Sequence, residues 1–263
     1  MGIRTNIAAA ALAVATMAPV AAQADKLQDI MNSGTVRVGI LLDVAPWGLN
    51  DAEGNPTGLD VEVAELLASE LSVDLEIVQV TGTNRIPNLL SDQIDIIIAA
   101  MGANSERAQQ VMFSQPYTVV DLGVYGSPDI GLSEDPGVLS GHTISVAPGT
   151  TLDLWLTDNA PEDADIARFE DVPSAMAAYL AGQSDLFAEN SAIIANMRTD
   201  RPEIDIAPVL IMRQSPAHIG VPMGEHNLLQ WVNTFVFANV INGNLPTLQE
   251  KWFGTERGAL PGI

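Results

Sequence analysis

From Thr35 onward the apolar positions keep changing period. In "TVRVGIL", Val36, Val38 and Ile40 alternate with other residues, the two-residue repeat of a strand. In "LDVEVAELLASELSV", Val63, Leu66, Leu67 and Leu71 recur every three or four residues with acids on the other face, which predicts an amphipathic helix. "DLEIVQV" returns to a strand, "RIPNLLSD" to a short helix, and "IDIIIAA" to a strongly apolar strand. A short helix, "KLQDIMNSG", stopped by Gly34, precedes this run, and the Gly-, Pro- and Asn-rich "DVAPWGLNDAEGNPTG" reads as a loop. Alternating strands and helices predict an α/β fold with parallel sheet.

The pattern then repeats. "HTISVAPG", "DIARFE" and "SDLFAE" read as strands, and "TLDLWLTDNA", "VPSAMAAYLAGQ" and "NSAIIANM" as the helices that follow them. Two extended stretches, "VVDLGVYGS" and "SPAHIGVPMG", lie between the halves and after the second one, and two helices separated by "NGN" close the chain. The economical arrangement is two α/β lobes joined by two crossing strands. Lobe one is expected at 25–121 and 219–263, and lobe two at 122–218.

Composition narrows the function. The first 24 residues combine a basic start, an apolar run too short to span a bilayer and an A-x-A site at Ala22–Ala24, the organisation of a secretory signal peptide. The chain has no cysteine, hence no disulfide or thiolate chemistry and no lipid attachment site. A periplasmic location follows as the expectation. Asp and Glu number 33 against 11 Lys and Arg, a net charge of −22 that disfavours nucleic acid and anionic membrane as partners. His142, His218 and His226 are scattered without metal-ligand spacing, and no phosphate-binding loop or cofactor motif occurs. His218 falls in a crossing strand and reads as structural or cleft-edge rather than catalytic.

The candidate chemistry starts at "MGANSERAQQVMFSQPY". Ligands of parallel sheets sit beyond the carboxyl ends of the strands. There Gly102 allows close approach, Asn104 is placed to cap a helix starting near Ser105, and Arg107 falls on its first turn. Such a helix start favours an anion, and a guanidinium suits a carboxylate. On spacing alone, Arg107 either clamps a carboxylate or pairs with a surface acid.

The segments "SGTVRVGI", "APWGLNDAEGNPTGLDVEVAELLASEL", "NRIPNLLSDQIDIIIAA", "NSERAQQVMFSQPY" and "GHTISVAPGTT", in that order, resemble the polar amino-acid-binding proteins of ABC importers, solute-binding family 3. The resemblance implies a two-lobe periplasmic-binding-protein fold of type II that closes on its ligand by hinge motion. It places Arg107 on the ligand carboxylate with backbone help at Ala100 and Gly102, and Thr150 and Thr151 across the cleft. Thr151 also reads as the N-cap of the following helix. Trp47 falls where an aromatic packs on the ligand, with a core position as the alternative, and Asp43 either meets a polar or cationic side chain or caps its loop. The family's ammonium-binding carboxylate aligns with Asn190. Hence Glu189 takes that role, Asn190 does, or the ligand has no ordinary α-amino group. Gly102 also replaces a residue that usually carries a hydroxyl.

The expected function is a receptor that captures an amino acid or related carboxylate and delivers it, as a monomer without cofactor or metal, to an inner-membrane ABC permease. The competing expectation is an enzyme on the same scaffold, resembling cyclohexadienyl dehydratases, for which Glu189 is the candidate acid or base.

Overall fold

The computed structural model describes residues 25–254; the expected signal peptide at 1–24 and residues 255–263 lie outside this range. In chain order the elements are α1 (Lys26–Ser33), β1 (Thr35–Ile40), β2 (Asp43–Val44), β3 (Gly48–Asn50), β4 (Pro56–Thr57), α2 (Leu59–Leu71), β5 (Asp74–Gln79), α3 (Arg85–Leu90) and β6 (Ile96–Ile97). Then come β7 (Val111–Gly126), β8 (Thr143–Val146), α4 (Thr151–Asn159), β9 (Asp165–Arg168), α5 (Val172–Leu180), β10 (Leu186–Asn190), α6 (Ser191–Asp200), β11 (Ala207–Pro222), α7 (His226–Ile241) and α8 (Asn244–Phe253).

One eight-stranded sheet runs in the order β5-β1-β6-β11-β7-β10-β8-β9. Its two outer thirds are parallel: β1 pairs with β5 and β6, and β8 with β9 and β10. The residues of the first third are apolar because both faces are covered; Val36, Val38, Ile40, Ile94, Ile96, Ile97 and Ile98 are all fully buried. Helix α2 lays Val63, Leu67 and Leu71 against this sheet, as its stripe predicts. Gly34 ends α1 in the left-handed conformation.

The two thirds are joined by β7 and β11, each 16 residues long and paired antiparallel from Ala207–Gly126 to Pro222–Val111. The crossing segments are thus longer than "VVDLGVYGS" and "SPAHIGVPMG" alone. Instead of two separate parallel sheets, the crossing strands add antiparallel members that make the sheet continuous. Register irregularities flank His218, where extra residues bend a strand. His218 itself is buried, with Nδ1 2.7 Å from the carbonyl of Ser114, the structural setting expected for it.

Two local expectations are corrected. The segment read as a loop at 43–58 carries the antiparallel ribbon β2-β3-β4, because Asp51 accepts from the amides of Glu53 and Asn55 and closes a tight turn within it. The helix expected from Ser105 shrinks to one 3-10 turn, Arg107–Gln109, because β7 begins at Val111. Asn104 Oδ1 accepts the Arg107 amide at 2.8 Å from the preceding turn, while the cap position itself falls on Glu106, and so short a turn offers no dipole end for an anion.

The entry to α2 depends on Gly58, whose φ is +122° and whose missing Cβ would lie 2.5 Å from the Trp47 carbonyl oxygen. Gly58→Ala is expected to destabilise the fold by about 2–4 kcal/mol through combined backbone strain and overlap. A urea-denaturation midpoint equal to wild type would contradict this.

Candidate functional site

The carboxyl ends of the parallel strands in both outer thirds face one cleft of about 790 Å³, part of it open solvent. Asp43, Trp47, Ala100, Gly102, Thr150, Thr151, Glu189 and Asn190 line it, which leaves Arg107 alone among the expected site residues off the wall. Arg107 is nonetheless buried and reaches across the cleft. Its Nη1 donates to the Gly102 carbonyl at 2.7 Å and to Thr151 Oγ1 at 3.2 Å, and its Nη2 to the Gly149 carbonyl at 2.6 Å. Burial, against the pull of Glu106, lowers its pKa below the usual arginine value. No carboxylate among the described residues pairs with it, so the surface-acid alternative does not apply.

Gly102 sits where a Cβ would come within 3.0 Å of Ser215 Oγ and Thr151 Oγ1. A side chain there would need these two hydroxyls to give way by a few tenths of an ångström. Thr150, rather than Thr151, is the N-cap of α4: its Oγ1 accepts the Asp153 amide and donates to the Ala147 carbonyl. That occupation leaves Thr151, at the first helical position, with the hydroxyl facing Arg107.

Trp47 lines the cleft from a core position. It is only 1% exposed, packs edge-on to Phe253 at 4.8 Å and donates its indole N–H to Asn190 Oδ1 at 3.3 Å. Asn190 is the N-cap of α6, the same oxygen accepting from the amides of Ala192 and Ile193. Its Nδ2 donates to Glu189 Oε1 at 2.9 Å, and its own amide donates there at 2.8 Å. The Asn190 side chain is therefore spent on protein. Glu189 is 4% exposed, and burial, only partly offset by these two bonds, raises its pKa to about 7.

Asp43 lies exposed at the rim. Partial burial and the facing charge of Asp171 raise its pKa. Asp171 caps α5 through the Ser174 amide. The rim of the cleft is thus acidic from both sides.

Arg85 was not singled out in the sequence. It opens α3, 4% exposed, lines the cleft, donates Nη1 to the Ala99 carbonyl at 2.5 Å and leaves Nε without a partner. Burial and repulsion from Arg107 lower its pKa to about 9. The rule that drew attention to Arg107, a cation just past a strand's carboxyl end, applies equally to Arg85 after "DLEIVQV". Behind the wall lies Asp60, fully buried, which accepts the Tyr117 hydroxyl at 2.6 Å and the Ala100 amide at 2.9 Å. Ala100 therefore has no free amide to offer a ligand. Burial raises the Asp60 pKa to about 7. Its signal in the sequence was an acid four and seven residues before Ala64 and Leu67 on the buried stripe of α2. Among the described residues no cluster suited to a metal ion occurs.

Glu189 and Asp60 keep their protons to about pH 7 when folded, against about 4 in an unfolded chain. Between those values the folded state binds more protons, so the stability these groups contribute is full below about pH 4 and lost as pH rises through about 7. Urea midpoints are expected to fall from pH 5 to pH 8, and Glu189→Gln to flatten the fall. A variant profile parallel to wild type would contradict the buried titration.

Comparison with known proteins agrees with this geometry. The L-cystine-binding protein TcyJ of Escherichia coli (strain K12) is 25% identical over 232 residues, covering 88% of this chain and 86% of the relative. The crystal structure of the P235GK mutant of ArgBP from T. maritima superposes with a TM-score of 0.79 at 28% identity, over 88% of this chain and all of that one. Cyclohexadienyl dehydratase of Pseudomonas aeruginosa PAO1 is 34% identical over only 110 residues, 42% of this chain and 41% of the enzyme. The family model of the bacterial extracellular solute-binding proteins, family 3, matches residues 36–255. The chain belongs to that family.

Proposed function

We propose that this protein is the solute-binding receptor of an ABC importer and captures an amino acid or close carboxylate relative in the cleft. The observation that carries this reading is a pair of buried groups on one cleft that do not neutralise each other. Arg85 lines the cleft and has a buried Nε without a hydrogen-bond partner, and Glu189 has a carboxyl group shifted only by burial and by Asn190. A zwitterion answers both. Its carboxylate meets Arg85, Arg107 and the start of α4, where the Thr151 hydroxyl lies, and its ammonium meets Glu189. Asn190 holds Glu189 in place and is not the ammonium site. Trp47 and the Asp43 rim bound the side chain.

The lobes of this reading are 25–121 with 219–263, and 122–218, turning on β7 and β11. The bonds from Arg107 to Gly149 and Thr151, and from Trp47 to Asn190, are then lobe-to-lobe contacts of a closed state that ligand favours. Residues 1–24 act as the signal peptide that sends the chain to the periplasm. There it works as a monomer and hands its ligand to an inner-membrane ABC permease. The relatives matched over most of their length carry the names of binding proteins, which supports a receptor over an enzyme. The dehydratase reading rests on a match to less than half the chain and on Glu189, the one buried acid lining the cleft among the described residues.

A thermal-shift screen of refolded protein with the twenty standard L-amino acids and L-cystine tests the receptor. The cognate amino acid at a thousandfold excess over Kd is expected to stabilise by about 4 kcal/mol. Its affinity should rise from pH 6 to pH 8 as Glu189 gives up its proton to meet the ammonium. Arg107→Ala should weaken binding at least tenfold without unfolding the protein, about 1.4 kcal/mol or more. Unchanged affinity in that variant, or a pH profile of the opposite slope, would overturn the assignment. Turnover of a cyclohexadienyl carboxylate would favour the enzyme instead.

A further inference from the structure

A single peptide group in the cleft wall is gripped at both ends by buried side chains. Its oxygen, the Ala99 carbonyl, accepts from Arg85 Nη1 at 2.5 Å, and its N–H, that of Ala100, donates to Asp60 Oδ2 at 2.9 Å. The other Asp60 oxygen accepts the hydroxyl of Tyr117, a residue of the crossing strand β7. The Asp60 amide donates to the Trp47 carbonyl at 2.8 Å. Arg85, Ala100 and Trp47 all line the cleft, whereas Asp60 stands behind it and is fully buried.

A first-turn acid suits the N-terminus of α2, but nothing about the helix requires that acid to be fully buried. An ionisable group without water is costly unless its acceptors are used, and here both oxygens are used, by donors on two different elements. Ala100 adds a further constraint: its φ is +48°, a conformation that a residue with a Cβ holds only where its surroundings enforce it. The next residues are fixed from the other crossing strand, since the His218 amide donates to the Met101 carbonyl at 2.9 Å and Gly102 bridges to Ala217. The wall segment 99–102 is thereby held between β7, through Asp60, and β11, through backbone.

We propose that Asp60 is a positioning residue for ligand capture: it fixes the Ala99–Ala100 peptide in the cleft wall and, through Tyr117, ties that wall to the strand on which the two halves turn. This rests on the cleft being the ligand site and adds a residue that touches no ligand. Hydrogen bonds at both ends of the peptide hold Arg85 as well as Ala100. Losing the carboxylate frees the peptide plane and the guanidinium together.

Hydrogen exchange and calorimetry on wild type, Asp60→Asn, Asp60→Ala and Tyr117→Phe test the proposal, with the twenty standard L-amino acids as probes. In Asp60→Asn the amide oxygen accepts from Ala100 while Nδ2 donates to the Tyr117 oxygen, so the brace survives without its charge. Asp60→Ala is expected to speed exchange at Ala100 at least about tenfold with α7 unchanged, and to weaken the amino acid that binds wild type by at least about tenfold. Asp60→Asn should stay within about threefold of wild type on both measures, and Tyr117→Phe should keep Ala100 protected while losing about three- to tenfold in affinity. A merely structural aspartate would lower stability in both Asp60 variants and leave affinity alone, which overturns the proposal. So does an Asp60→Asn variant as impaired as Asp60→Ala. If Asp60→Ala does not fold, unchanged affinity in Tyr117→Phe overturns the tie to β7. If no amino acid binds wild type, the cleft's proposed ligand class fails. The exchange arm then decides the brace alone, which falls if Ala100 stays protected in Asp60→Ala.

Discussion

Taking an ionisable side chain out of water costs several kcal/mol unless its surroundings answer the charge. Arg85, Arg107, Asp60 and Glu189 are 4%, 6%, 0% and 4% exposed, and none of them forms an ion pair among the described residues. Each is answered by neutral groups instead: the guanidiniums by carbonyls and a threonine hydroxyl, Asp60 by a tyrosine and an amide, Glu189 by the Asn190 amides. Neutral partners leave the charge itself uncancelled, which is why burial dominates all four shifts. This is the basis for proposing a guest that brings both signs.

Topology makes such a cleft possible. Parallel strands in each outer third send their carboxyl ends toward a common space, and only the antiparallel pair β7 and β11 carries chain between them. Loops 82–83 and 148–149 meet there, with a Cβ on Gly82 only 3.4 Å from the Pro148 oxygen. Wall residues on one side, such as Trp47, bond to residues on the other, such as Asn190. The shape of the cleft therefore depends on how the two halves are held, and the crossing strands connect them.

Much of this was legible in the sequence, because period and punctuation report burial directly. The stripe of α2, the apolar run of β6 and the glycine stop of α1 each follow from local pattern. The family resemblance supplied most of the wall residues. What stayed hidden depended on partners distant in sequence. Asn190 aligned with an ammonium-binding acid, yet its oxygen is filled by Trp47, 143 residues away, and by its own helix. Asp60 looked like one of several acids on α2, whereas Glu62 pairs with Lys251 and the exposed Glu70 accepts from the buried Asn239; only the stripe register separated them. The helix expected at Ser105 failed because propensity could not show that β7 would begin so soon.

The most direct measurement takes the amino acid that stabilises the protein most and compares it, by calorimetry, with its decarboxylated amine and its deaminated acid. With a guanidinium end and a Glu189 end both required, the zwitterion should bind and each derivative should lose at least about a hundredfold, roughly 2.7 kcal/mol. A deaminated acid that binds as tightly as the amino acid would contradict a cleft that reads both charges.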